Sequence, residues 1–166
     1  KSNVSSDFQI SAIADRSIDK KDHDTNLLVT KNALELAENP ELDIIVELIG
    51  NVEVSYELLR KSLNNNKHVI TANKALIAKH GEELFLLAQK KEKHIGFEAS
   101  VAGAIPIIQT LRNNFTNEKI NSVVGIINGT SNFILDKMSN TSCEFSSALS
   151  EAQNLGYAES DPSFDI

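Results

Sequence analysis

The residues best suited to chemistry in this sequence stand where short apolar runs end. The run QISAIA at residues 9–14 closes on Asp15-Arg16-Ser17. An acid at the end of such a run can accept a hydrogen bond from a ribose 2′-hydroxyl, whereas an arginine favours a 2′-phosphate, so this pair leaves both NAD and NADP open. The run DIIVELI at 43–49 ends in Ile49-Gly50, and a glycine there lets a ligand approach the backbone. HVIT at 68–71 leads into Ala72-Asn73-Lys74, where Asn73 or Thr71 is suited to capping a following helix. Lys74 then falls in the first turn, where the helix dipole disfavours a cation. An anionic or carbonyl ligand beyond the strand end would offset that.

Glu98 lies in an otherwise apolar run, IGFEA at 95–99, followed by Ser100-Val101-Ala102-Gly103-Ala104-Ile105-Pro106. A buried carboxylate needs a partner. The small residues after it allow a tight turn, and its carbonyls together with the glutamate suit a hard cation such as sodium or potassium. Asn128-Gly129-Thr130-Ser131-Asn132 is a glycine-centred turn ahead of a helix, whose free N–H groups can receive a carboxylate. Gly156 is a helix stop, and beyond it Glu159, Asp161 and Asp165 form an acidic group that suits an ammonium. Each motif also has an ordinary explanation: a turn glycine, an exposed lysine, a strand glutamate facing water, a capped helix start, a solvated acidic loop. The four histidines show no ligand spacing with the single cysteine, Cys143, which argues against zinc. There is no Gly-x-Ser-x-Gly nucleophile elbow.

These residues need elements to position them. Residues 9–14, 27–29, 43–49, 68–71 and 95–99 read as strands from their apolar, β-branched character. Helices are expected over 31–38, with Thr30 as N-cap and Asn39-Pro40 as the stop, over 53–65 and over 75–91. Val54, Leu58, Leu59 and Leu63 share one helix face, as do Leu76, Leu84, Leu87 and Ala88. Strands alternating with helices imply βαβ units and a parallel sheet with right-handed crossovers, which is an α/β, doubly wound architecture. The near-continuous apolar DIIVELI suggests burial on both sheet faces. After Val101 the rhythm changes: 106–114 reads as helix, 119–127 as strand, 133–138 as helix, and Phe145, Ala148, Leu149 and Ala152 repeat at helical spacing. The domain boundary is therefore placed near residue 100, giving 1–100 and 101–166.

Composition bounds the function. Of 166 residues 41% are hydrophobic and 23% charged, the balance of a folded globular chain. A formal charge of −7 repels phosphate backbones and argues against nucleic acid. One cysteine permits no internal disulfide, which fits a cytoplasmic setting. The longest weakly polar run, 99–108, contains Gly103 and Pro106 and is too short for a membrane helix, which takes about 20 apolar residues. Residues 1–7 are polar and do not resemble a signal peptide. The sequence starts at Lys1 without a methionine and stops just after Asp161-Pro162, so it is expected to be a piece of a longer protein.

Five co-linear segments, VELIG (46–50), KHVITANKALIAKHG (67–81), EASVAGAIPII (98–108), GIINGTSNFIL (125–135) and EAQNLGYAESDP (151–162), together resemble the homoserine dehydrogenase family. The resemblance covers about residues 9 to 166. It implies a Rossmann-like dinucleotide domain followed by part of an α+β substrate and dimerisation domain, acting as a homodimer. It also implies NAD(P)-dependent reduction of aspartate 4-semialdehyde to homoserine. Lys74 would lie beside the nicotinamide and substrate. Glu159 and Asp165 would hold the substrate ammonium, with Gly129, Thr130 and Tyr157 lining the pocket. Glu98 would bind a sodium-like cation with the main-chain oxygens of Val101, Gly103 and Ile105; Ala104 stands where the family usually has a second glycine. The family's glycine-rich phosphate loop is expected ahead of Lys1, and its catalytic aspartate and lysine after Ile166, so the 166-residue chain is expected to be inactive by itself. The competing readings are a non-catalytic binding or regulatory protein on the same fold, and a related dehydrogenase of another small aldehyde.

Overall fold

Asparagines cap four of the described α-helices. In the computed structural model, which describes residues 8–18, 27–103, 105–125, 127–158, 162–163 and 165–166, the side chains of Asn32, Asn51, Asn73 and Asn128 each accept a backbone N–H from the first turn of the helix that follows. Such a cap stabilises a helix by about 1 kcal/mol. The chain forms two compact units, Lys1–Gln109 and Thr110–Ile166.

In the first unit, strands β1 (Ala12–Ala14) and β2 (Leu28–Thr30) pair in parallel, Ala12 opposite Leu28. Helix α1 (Ala33–Glu38) follows. Its cap is Asn32 rather than Thr30; the Thr30 hydroxyl instead donates to Glu35 at 2.6 Å and accepts the Asn32 N–H. Then β3 (Ile44–Glu47), α2 (Val52–Asn64), β4 (His68–Thr71), α3 (Lys74–Lys90) and β5 (Ile95–Gly96) alternate. They build a three-stranded parallel sheet in the order β3-β4-β5. Leu58, Leu59 and Leu63 of α2 and Leu76, Leu84 and Ala88 of α3 pack on Ile45, Val69 and Ile95 of the strands.

Burial on both faces of this sheet is not observed. Ile45, Glu47, Val69 and Thr71 are buried, but Val46 is 57% exposed and Ile44 and Ile70 are also open. The reason is topological. The strands advance in one direction, so right-handed crossovers bring α2 and α3 to the same side. Among the described residues β1 pairs with β2 alone and β3 with β4 alone.

β5 is shorter than the apolar run suggests. The backbone leaves the sheet after Gly96, and Glu98–Ser100 forms a 3-10 turn. Lys67 is buried at the foot of β4, and its ammonium donates to the carbonyls of Asn39 and Leu42, just past the end of α1. Burial pushes this lysine below its ordinary range, and Asp43 nearby partly opposes the shift.

Helix α4 (Ile107–Asn114) leads into the second unit, which is built on α5 (Gly129–Thr141) and α6 (Phe145–Asn154). Ile134, Ala148, Ala152 and Ala158 are its buried centre, flanked by Phe133, Met138, Cys143 and Leu149. Lys137 and Glu151 join the two helices by an ion pair of 2.9 Å. Gly156, at φ +78°, turns the chain out of α6, and the N–H of Tyr157 returns to the Ala152 carbonyl at 2.8 Å. The strand expected over 119–127 is absent from the described residues there. A strand needs a neighbour to receive its N–H and C=O groups. No described segment supplies one, and Val123, Val124 and Ile127 lie exposed.

Candidate functional site

In an open parallel sheet, ligands bind beyond the carboxyl ends of the strands. At that end of β3 and β4 lies a buried carboxylate. Glu47, 1% exposed, accepts hydrogen bonds from the Ile49 N–H (2.6 Å), the Gly50 N–H (3.3 Å), the Ser55 hydroxyl (2.8 Å) and the Thr71 hydroxyl (2.5 Å). Every partner carries an N–H or O–H to donate, so the carboxylate is the acceptor they share. Thr71 in turn accepts the Asn73 N–H at 3.0 Å, and Ser55 accepts from the Asn73 amide at 3.4 Å. The Asn73 side-chain oxygen caps α3 through the Leu76 N–H at 3.0 Å. Lys74 is the first residue of that helix and is exposed. Gly50 has φ +79°, and a Cβ there would meet nothing in the chain within 4 Å. The demand for glycine is therefore conformational.

At the end of β1, the Asp15 carboxylate takes both the N–H (2.7 Å) and the hydroxyl (2.6 Å) of Ser17. These bonds, the hydroxyl's foremost, hold the carboxyl below its ordinary range. Arg16 beside it is exposed.

Glu98 has a role that its sequence context did not show. Its two oxygens accept the N–H groups of Ile108 (2.8 Å) and Gln109 (3.0 Å), at the start of α4. A carboxylate at a helix N-terminus is favoured by the dipole and satisfies open donors. Between Glu98 and α4 the chain turns through Ala102 and Gly103, at φ +54° and +61°. The Ile105 carbonyl accepts the Ile107 N–H at 2.8 Å. A carbonyl has two lone pairs and a carboxylate about four, so Glu98 and the carbonyls of Val101, Gly103 and Ile105 keep acceptor capacity. This oxygen-only donor set fits the chemistry of a hard cation. Ala104 lies outside the described residues.

In the second unit, Asn128 both caps α5, through Ser131 at 2.8 Å, and donates its amide to Asp165 at 2.9 Å. The Thr130 hydroxyl donates to the Tyr157 carbonyl at 2.5 Å with Asp165 at 3.4 Å, and the Ser131 hydroxyl reaches the Asp165 carbonyl at 3.1 Å. Tyr157 stacks on Phe133, ring centres 4.8 Å apart. Thr130, Tyr157 and Asp165, named from sequence, are thus brought together, with Gly129 adjoining as the first residue of α5. Glu159 and Asp161 lie outside the described residues.

Sequence reasoning did not single out Glu47, Ser55 or Asn128 individually. The available signal for Glu47 was an acid inside an apolar strand, which only a set of donors can accommodate.

Parallel βαβ units with polar loops at their carboxyl ends define an α/β protein with a Rossmann-like dinucleotide-binding fold. Residues 1–98 match the family profile described as homoserine dehydrogenase, NAD binding domain, and residues 106–166 match the one described as homoserine dehydrogenase. The chain belongs to the homoserine dehydrogenase family. It is 50% identical over 138 residues to the homoserine dehydrogenase of Pseudomonas aeruginosa, covering 83% of this chain and 32% of that protein. It is 45% identical over 161 residues to that of Neisseria gonorrhoeae, covering 96% and 37%. Among solved structures, a homoserine dehydrogenase from Thiobacillus denitrificans superposes with a TM-score of 0.83 at 49% identity, covering 93% of this chain and 36% of that one. A hyperthermophilic archaeal homoserine dehydrogenase in complex with NADPH gives 0.74 at 33% identity, covering 88% and 45%. The chain spans about a third of the length of these curated relatives.

Proposed function

We propose that the protein containing this chain reduces L-aspartate 4-semialdehyde to L-homoserine with NADH or NADPH, a step toward threonine, methionine and isoleucine. Residues 1–100 form part of its dinucleotide-binding domain and 101–166 part of its substrate-binding domain. The nicotinamide, when bound, supplies the hydride. Asp15 and Arg16 face the adenosine ribose, and Ile49 and Gly50 line the cofactor's path at the strand ends. The observation that carries this reading is the placement of Lys74 immediately after the Asn73 cap, at the carboxyl end of β4. An aldehyde oxygen gains negative charge as the hydride arrives, and a cation beside it lowers the barrier. Lys74 has that role here. Glu159 and Asp165 bind the substrate ammonium, with Gly129, Thr130 and Tyr157 lining the pocket. Asp165 is held for this by Asn128 and Thr130.

Glu98 with the carbonyls of Val101, Gly103 and Ile105 holds a monovalent cation, sodium or potassium. A homodimer in the cytoplasm is the expected working form; the exposed Val123, Val124 and Ile127 support a covering partner surface. Among the described residues no helix is long and apolar enough to cross a membrane.

The test is an assay of the complete gene product with aspartate semialdehyde and each reduced nicotinamide, with homoserine identified as the product. Cofactor oxidation that requires the semialdehyde is expected with at least one nicotinamide. Absence of turnover with both overturns the proposal.

A further inference from the structure

The buried carboxylate of Glu47 has no part in the reaction just described, yet it bonds both to the loop after β3 and to the last residue of β4. One oxygen holds the 49–50 backbone and Ser55, and the other holds Thr71. Because the hydroxyls of Thr71 and Ser55 both donate to Glu47, their oxygens are left to accept from Asn73. The backbone N–H groups and the Asn73 amide NH2 can only donate, so the two hydroxyls are the members whose direction the Glu47 acceptor sets. Asn73 is thereby fixed at two points, its main-chain N–H and its side-chain amide, while its carbonyl oxygen caps α3. We propose that Glu47 is a positioning residue that sets Lys74, through Thr71 and Asn73, at its place beside the substrate and nicotinamide. Its activity consequences rest on the function proposed above.

Glu47→Gln separates this role from general support of the fold. The glutamine oxygen keeps three acceptor bonds if it faces Ile49, Gly50 and Ser55, and the amide NH2 then faces Thr71. The Thr71 hydroxyl loses its acceptor, and the disturbance falls on the Asn73 side alone. A misplacement of this kind costs about tenfold or more in rate. In the full-length protein, Glu47→Gln is expected to lower kcat by about tenfold or more while the dissociation constant for the reduced nicotinamide changes by less than about threefold, because the bonds to the 49–50 backbone are kept. Hydrogen–deuterium exchange should quicken in peptides spanning 71–76 and stay unchanged in those spanning 48–52. Thr71→Val should reproduce both effects, and Thr71→Ser, which keeps the hydroxyl, should restore them. The double variant Glu47→Gln/Thr71→Val should be no worse than either single one.

Unchanged kcat with unchanged exchange would overturn the proposal, as would equal loosening of both segments or additive losses in the double variant. Should Glu47→Gln fail to fold, Thr71→Val and Thr71→Ser decide the question. If the wild-type protein does not turn over the semialdehyde, the functional reading fails, while the exchange pattern still tests the positioning role.

Discussion

The amide of Asn128 and the carboxylate of Asp165, 37 positions apart, meet at 2.9 Å in the second unit. The same Asn128 side chain caps α5. One residue thus starts a helix and aims an acid. Asn128→Ala should therefore cost about 1 kcal/mol of stability, the usual loss for a cap, and raise the KM for aspartate semialdehyde more than it lowers kcat. Asn128→Ser, which can cap but reaches less far, should regain stability without regaining KM. Denaturant unfolding and steady-state kinetics of the full-length protein check both.

Lys74→Ala should lower kcat by more than about tenfold, the loss typical of a removed general acid or electrostatic stabiliser. Cofactor affinity should change much less. Glu159→Ala should instead weaken substrate binding, because the ammonium loses its counter-charge. A kcat and KM comparison of the two variants separates the roles; an unchanged KM in Glu159→Ala contradicts the assignment.

Asp15 provides a pH signature. Its carboxyl is held low in the folded chain, chiefly by the Ser17 hydroxyl and then by the Ser17 N–H. A depressed acid contributes stability that is present above the unfolded value and lost as pH falls through the folded one. Ser17→Ala should move the Asp15 titration upward toward the ordinary carboxylate range without fully reaching it, since the backbone bond remains. Carboxyl NMR titration reads this directly.

Lys67 tests a buried cation. Its ammonium serves the Asn39 and Leu42 carbonyls, so Lys67→Ala leaves both without that donor and should destabilise the protein by about 1–3 kcal/mol. Burial depresses this lysine in the fold, so the folded state sheds its proton before the unfolded state does. The wild-type protein should gain stability as pH rises from the depressed value toward the ordinary lysine range, and Lys67→Ala should lose that gain. Thermal melts across alkaline pH measure it.

Most of the first unit was legible because its signals are local. Asn39-Pro40 stops α1, HVIT forms β4 at the expected residues, and Leu58, Leu59 and Leu63 share a buried helix face. What escaped depends on partners distant in sequence. Glu98 reads as a strand residue until Ile108 and Gln109 come round to it as donors. Residues 119–127 have strand composition, but a strand exists only where a ladder is available. Asn32 displaced Thr30 as the cap because the threonine hydroxyl was engaged by Glu35. In the candidate site, Lys74 and the turn from Asn128 to Asn132 announced themselves by type and position, whereas the Glu47 network emerges only when β3, β4 and α2 are assembled.

The one-sided placement of α2 and α3 has an energetic corollary. Among the described residues, α2 and α3 cover one face of the β3-β4-β5 sheet, and Ile44, Val46 and Ile70 form a wettable apolar underside. Each such side chain, once covered, would add about 1.5–3 kcal/mol. A third layer reaching these positions would therefore determine how firmly the strand ends, and the loops they carry, are held in register.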